Sequence, residues 1–207
     1  MTWDWRLLVA PGSALFVLPL AAVVGLLLTR QAGARGAVLR WWCALAVAAV
    51  AVAASKIAFY GWGTGIRAWD LTCFSGHTVL ALGFWPVALA LLVPPRRRAW
   101  RRGAAAVGWG FGLLIGWSRL SLGAHPVSEV LAGVALGGAT ALYGLHVLRD
   151  RWLPPRSTAM LCALGLLALL WLSQRSMPTL PSERWFAAIG TALSGRDAPV
   201  DRRTWKL

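Results

Sequence analysis

Acidic residues are scarce in this chain: seven Asp and Glu stand against twenty-one Lys and Arg, and nowhere along the 207 residues do carboxylates gather. A calcium- or magnesium-type cage needs several oxygen ligands, so no metal site of that kind is expected. Cysteine is as sparse. Cys43, Cys73 and Cys162 are odd in number, lie in different segments and form no C-x-x-C pair, which excludes a disulfide framework and a zinc site and leaves them as packing residues. Internal repeats and low-complexity linkers are also missing, so a single membrane domain is the economical reading.

What the chain has instead is apolar length. Hydrophobic residues make up 58 % of the sequence, and they come in unbroken runs rather than at amphipathic spacing. A hydrocarbon core about 30 Å thick takes about 20 apolar residues per helix. Six stretches meet or approach that length, at 7–28, 38–54, 78–93, 104–117, 127–148 and 158–172. The fourth is short and rich in glycine. The first lacks a basic start and a cleavage site and is longer than a signal h-region, so it reads as a span. The fold expected is therefore all-α, a polytopic membrane bundle of about six transmembrane helices over residues 1–172, followed by a basic tail over 173–207.

A formal charge of +14 would point to nucleic acid in a soluble protein, but in a membrane protein the cations are first sorted by loop. Arg30, Arg35 and Arg40, then Arg96, Arg97, Arg98, Arg101 and Arg102, then Arg149, Arg151 and Arg156 occupy alternate connections and account for eleven of the twenty-one. The positive-inside rule makes those connections cytoplasmic and turns the other loops and both termini outward. Nucleic acid is not an expected partner; the bilayer is. Trp3, Trp5, Trp41, Trp42, Trp62, Trp69, Trp100 and Trp152 fall near the predicted span ends, where an interfacial aromatic belt belongs. In the tail, Pro178, Pro181 and Pro199 predict an irregular segment with a short surface helix near 185–193. Gly108, Gly112 and Gly116, with Gly133 and Gly137, repeat every four residues, a spacing that lets helices approach closely.

On the outward side the polar residues collect. Lys56 closes the second run; Arg67, Asp70, Ser75, Gly76 and His77 belong to the next connection; Ser118, Arg119, His125, Ser128 and Glu129 belong to the one after the fourth run. Two of the three histidines are here, and the third, His146, reads as structural. Pro126 suits a first helical turn, which sets His125 at a helix start and Glu129 four residues on, on the same face. A carboxylate there fixes one imidazole nitrogen as a donor and frees the other to attack or to take a proton. Arg119 offers a planar fork to a phosphate or carboxylate. Ser75 and Gly76 open a helix whose N–H groups and dipole favour an anion, with His77 beside it as a proton donor. Lys56, Arg67 and Arg119 complete an anion-transforming set.

These residues resemble the type 2 phosphatidic acid phosphatase, or lipid phosphate phosphatase, family (PAP2). Its signature is a Lys and an Arg-Pro, a Pro-Ser-Gly-His, and a Ser-Arg followed after five residues by His and after three more by Asp. Here stand Ser75-Gly76-His77, then Ser118-Arg119, His125 after five and Glu129 after three. Lys56 and Arg67 have ten residues between them rather than six, Ala68 and Phe74 replace the two prolines, and Glu129 replaces the aspartate. The resemblance covers the central third of the chain. It implies a PAP2/acid phosphatase-like core and a phosphohistidine mechanism without metal or other cofactor. His125 would attack phosphorus, Glu129 would orient it, and His77 would protonate the leaving oxygen. Lys56, Arg67, Ser75, Gly76, Ser118 and Arg119 would hold the phosphoryl oxygens. The substrate implied is a membrane lipid phosphate or pyrophosphate: undecaprenyl pyrophosphate, phosphatidylglycerophosphate, phosphatidic acid or a lipid A phosphate. Such an enzyme would sit in a bacterial inner membrane with its site facing the periplasm. Transfer to another lipid through the same His125, and a non-catalytic protein that binds lipid or a partner, stay open as alternatives; oligomeric state is not fixed by the sequence. A transporter fits less well, since the charges cluster at one surface and none lies mid-span.

Overall fold

The structure, a computed structural model, describes residues 4–157, 165 and 181–205. Among these residues the protein is helical, with a single isolated bridge between Ile66 and Leu71. Two short 3-10 turns, Trp5–Leu8 and Ala10–Gly12, lead into α1 (Ala14–Thr29). There follow α2 (Arg35–Trp62), α3 (Gly76–Leu91), α4 (Arg98–Ser121), α5 (Val127–Val147) and, in the tail, α6 (Ser182–Ser194).

Helix α3 is the axis of the bundle, with twelve of its residues buried, from Thr78 to Leu91. The largest core cluster joins Val17, Val24 and Leu28 of α1 to Trp41 of α2 and Phe84 and Leu91 of α3. Trp41 stacks on Phe84 with ring centroids 6.3 Å apart. Helices α4 and α5 close on α3 through their glycines. A Cβ on Gly108 would stand 2.6 Å from the Pro86 backbone, and one on Gly137 would stand 2.7 Å from the Val79 carbonyl oxygen. Either methyl would force the helices apart, so the four-residue glycine spacing is a packing device.

The predicted spans are met in part. Two helices, α2 and α5, are long and apolar enough to cross a membrane, and a third span results if the N-terminal turns and α1, bent by 45°, are taken together. Helix α3 is apolar but shorter. Helix α4 runs well beyond the expected 104–117, because its first turns carry arginines that the apolar criterion passed over. Six spans are therefore not confirmed, and the stretch predicted at 158–172 lies outside the described residues, Gly165 excepted. Val47 and Val50 on α2 and Leu131 and Leu142 on α5 are exposed, as faces that meet lipid rather than water would be.

The tail departs furthest from expectation. The predicted surface helix exists as α6, but it packs on α2 rather than lying free. The crossing is a glycine pair: a Cβ on Gly61 would stand 2.7 Å from the Gly190 carbonyl oxygen, and one on Gly190 would stand 2.7 Å from that of Ile57. Two bare backbones meet there, and no larger residue fits at either position.

Candidate active site

The alternation of helix directions brings the C-terminal ends of α2 and α4 together with the N-terminal ends of α3 and α5. Between them, the N-terminal turns and the tail lies a cavity of about 940 Å³ lined by Lys56, Gly76, His77, Arg119, His125 and Glu129, among others. Five of the helix ends' polar residues and one glycine, separated by as much as seventy-odd positions, thus face one space.

The connection from α4 to α5 is short, and its geometry is local. Gly123 turns with a φ of +64°, and the N–H groups of Ala124 and His125 both donate to the Arg119 carbonyl, at 2.9 and 3.4 Å. Pro126 caps α5, so His125 stands just ahead of its first turn and Glu129 within it. His125 Nδ1 lies 2.5 Å from Glu129 Oε2. The other carboxylate oxygen, Oε1, accepts from the N–H groups of Thr72 and Cys73, at 3.1 and 3.3 Å, and also from the Thr72 hydroxyl and the Arg202 guanidinium. Glu129 is fully buried. A carboxylate out of water is tolerated only with such a set of donors, and it then accepts rather than donates. Nδ1 of His125 therefore carries a proton toward Oε2, and Nε2 keeps its lone pair.

Arg119 is buried at the cavity wall, and its Nε–H finds no hydrogen-bond partner among the described residues. A guanidinium held in that way has a donor to give to an anion. Burial, with the Arg119 charge second, holds the His77 imidazole well below its ordinary value, at about 3, so the free protein keeps it neutral. Gly12 of the N-terminal turn packs close above it, 3.4 Å from a Cβ placed on Gly12 to that of His77. Lys56 is buried at the end of its side chain against the tail, paired with Glu183 and 5.9 Å from the Phe186 ring centroid. Tyr60 donates to the other oxygen of Glu183 at 2.9 Å.

Three of the expected phosphate ligands lie elsewhere. Arg67 is exposed, outside the cavity lining, with its guanidinium 5.7 Å over the Trp205 ring. The reason is the ten-residue gap: α2 runs on to Trp62, Gly63 and Gly65 turn at positive φ, and the 3-10 turn Arg67–Trp69 carries the side chain outward. Ser118 is fully buried and donates to the Ile115 carbonyl of its own helix at 2.6 Å. Ser75 is a brace between helices. Its N–H donates to the Glu129 carbonyl at 3.2 Å and its hydroxyl accepts from Thr78 at 2.9 Å, so the backbone left facing the cavity at the start of α3 is that of Gly76.

A soft cation is the remaining possibility for this space. Cys73, His125 and Glu129 bring one ligand atom each within 4.8 Å of one another. Both oxygens of Glu129 are already engaged, and burial, with the Glu129 charge second, pushes the Cys73 thiol up to about 11, which keeps the sulfur protonated at neutral pH. The donor set is committed to orienting the imidazole and does not fit a metal.

The tail residues Glu183 and Arg202 escape a reading by motif, because they meet Lys56 and Glu129 across 127 and 73 positions. The one sequence signal is that the tail, basic on balance, holds three of the chain's seven acids, Glu183, Asp197 and Asp201.

A family model described as the PAP2 superfamily matches residues 64–153. The chain is also 34 % identical over 203 residues to a Klebsiella pneumoniae protein named "Uncharacterized 22.5 kDa protein in cps region", with 96 % of each chain covered. No solved structure matches it. The chain belongs to the PAP2 superfamily, whose members are generally phosphatases, and with its apolar helices this makes it a membrane protein. The matched region contains His77, Arg119, His125 and Glu129, and it excludes Lys56 and the tail.

Proposed function

We propose that the protein is an integral membrane lipid phosphatase that removes phosphate from a lipid phosphate or pyrophosphate through a phosphohistidine on His125. The observation that carries the reading is the buried Arg119, whose Nε–H has no partner among the described residues, beside an imidazole whose Nδ1 lies 2.5 Å from Glu129. One group waits for an anion; the other has its lone pair aimed by a carboxylate.

The chemistry follows from those positions. Nε2 of His125 attacks phosphorus, the P–O bond to the lipid breaks, and His77, its basicity restored by the negative charge of the bound phosphate, delivers a proton to the departing oxygen. Arg119, Lys56 and the Gly76 N–H stabilise charge on the three remaining oxygens, which is where phosphoryl transfer needs most help. Glu129 balances the positive charge that builds on the imidazole. Water then adds to phosphorus, His77 takes its proton, the N–P bond breaks and phosphate leaves. For phosphate to reach Lys56, Glu183 must share or release it.

An amphiphilic substrate suits the walls. The cavity runs along Leu15, Leu18, Ala49 and Val52, and Leu15 and Leu18 are also exposed on the outside of α1, so an acyl or prenyl tail can stay among apolar surfaces while its head group meets the cations. The candidate substrates remain undecaprenyl pyrophosphate, phosphatidylglycerophosphate, phosphatidic acid and lipid A phosphate, with a bacterial inner membrane and a periplasmic site as the setting.

The test is phosphate release by detergent-purified protein over that panel, with chelator present. At least one substrate is expected to release phosphate, and His125→Ala to lose on the order of 10³-fold or more in kcat, as removal of a nucleophile does. Absence of release above the His125→Ala control on every substrate overturns the enzyme reading and favours a non-catalytic binding protein. Appearance of phosphate on an acceptor lipid instead of in solution makes the protein a transferase.

A further inference from the structure

We propose that Arg202, contributed by the tail from outside the family-matched region, is a positioning residue of the site: it anchors the Glu129 carboxylate so that the free oxygen stays on His125. The inference rests on the phosphatase reading for its catalytic consequence, though the anchoring itself is a matter of geometry.

The two oxygens of Glu129 are divided. Oε2 serves His125, while Oε1 is tied down by the Thr72 hydroxyl, two backbone N–H groups and Arg202. Arg202 is the one charged donor in that set, and a charge-assisted bond is roughly twice as strong as a neutral one. The same guanidinium nitrogen donates to the Thr72 hydroxyl at 2.7 Å, and Nε lies 3.6 Å from Asp70 Oδ1. Glutamate needs such a tether more than aspartate would. Its arm has one more rotatable bond, so holding it in one rotamer costs more entropy. Where the family pattern has aspartate, this chain has the longer residue and an added arginine on its far oxygen.

The segment that delivers Arg202 is itself docked. The Val200 N–H donates to the Tyr60 carbonyl at 2.8 Å, and Trp205 sets its ring edge-on to Phe59 with centroids 5.5 Å apart. Arg67 covers the Trp205 ring, and a Cβ on Gly65, whose φ is +139°, would stand 2.5 Å from it. Asp70, which meets Arg202, holds φ at +49°, a conformation that Asp tolerates better than most residues. Arg67 thus acts at one remove, by clamping the tryptophan that seats Arg202.

The experiment compares full-length wild type with Arg202→Ala, Arg202→Lys and, as a charge-matched control, Arg203→Ala, whose side chain is exposed and pairs with Asp201. On the substrate found by phosphate release, Arg202→Ala is expected to lose about 10- to 100-fold in kcat with KM little changed, since the carboxylate acts on the nucleophile rather than on binding. Arg202→Lys recovers part of the loss and Arg203→Ala stays within about twofold. A second readout needs no turnover: histidine-labelled NMR of His125, assigned with His125→Ala. Without Arg202 the Glu129 carboxylate is free to leave the ring, so the Nδ1–H proton, held downfield by that hydrogen bond in wild type, moves upfield or is lost to exchange. The other charged and titratable groups lining this cavity, Lys56, Tyr60, Cys73, His77, Arg119, Glu183 and Asp201, are the same in both proteins. A wild-type kcat in Arg202→Ala, a higher one, or an unmoved His125 Nδ1–H resonance overturns the proposal. A moved Nδ1–H resonance in a protein that releases no phosphate from any substrate upholds the anchoring and sinks the phosphatase reading instead.

Discussion

The two ends of the helical bundle use the same residue type in opposite ways. At the end formed by the start of α4 and the close of α3 and α5, Arg101 donates to the carbonyls of Val93, Arg151 and Leu148 at 2.9, 2.8 and 2.9 Å, and Arg151 donates to those of Ala32 and Gly33 at 2.8 and 2.9 Å. Every one of those acceptors is a backbone oxygen at a helix end or in the connection just beyond it, so the arginines are staples. At the other end Arg202 and Lys56 meet carboxylates, and the Arg119 Nε–H meets nothing among the described residues. Cations whose donors are spent on carbonyls hold a fold together; cations left with an open donor, or balanced against a movable acid, can take a ligand. The count of arginines distinguishes nothing here, and their acceptors distinguish everything.

The contrast breaks most severely at Glu129. Glu129→Gln keeps the volume but removes the charge that balances the imidazolium, and kcat is expected to fall by about 10²- to 10⁴-fold, as for the acid member of a catalytic triad. Glu129→Asp keeps the charge and retains a larger share of the activity; equal kcat in all three forms would show that the carboxylate has no orienting role. A smaller effect of a different kind is expected at the stapled end. Arg101→Ala removes three hydrogen bonds, although the Leu148 carbonyl keeps the Arg151 N–H, and costs about 2 kcal/mol or more of stability, seen as a lowered unfolding temperature in detergent. Its kcat below that temperature stays within about twofold. A loss of kcat without a loss of stability would mean that the two ends are coupled and the contrast is false.

What could be read from the sequence follows the range of the contact. His125 and Glu129 are four apart on one helix, so their pairing was legible from spacing alone. The glycine stripes on α4 and α5 were legible in the same way. Arg67 was not, because a gap of ten residues hides where α2 stops and how Gly63 and Gly65 turn the chain. The extent of α4 was missed because Arg101 and Arg102 look like loop in a hydropathy window, although an arginine at a helix start finds carbonyls on neighbouring elements. Hardest of all was the tail. Its contacts with Lys56, Tyr60 and Glu129 span 73 to 140 positions and depend on a glycine pair, Gly61 and Gly190, that has meaning only once the two helices cross.

The central claim is that His125 carries the phosphoryl group, and trapping it is the direct test. Wild-type protein mixed with the phosphate-labelled lipid that it turns over, quenched in alkali within a turnover and digested, should yield label on the peptide containing His125, stable to base and lost in acid, and none from His125→Ala. Label recovered on Cys73 or any other residue, or undiminished turnover by His125→Ala, would contradict it.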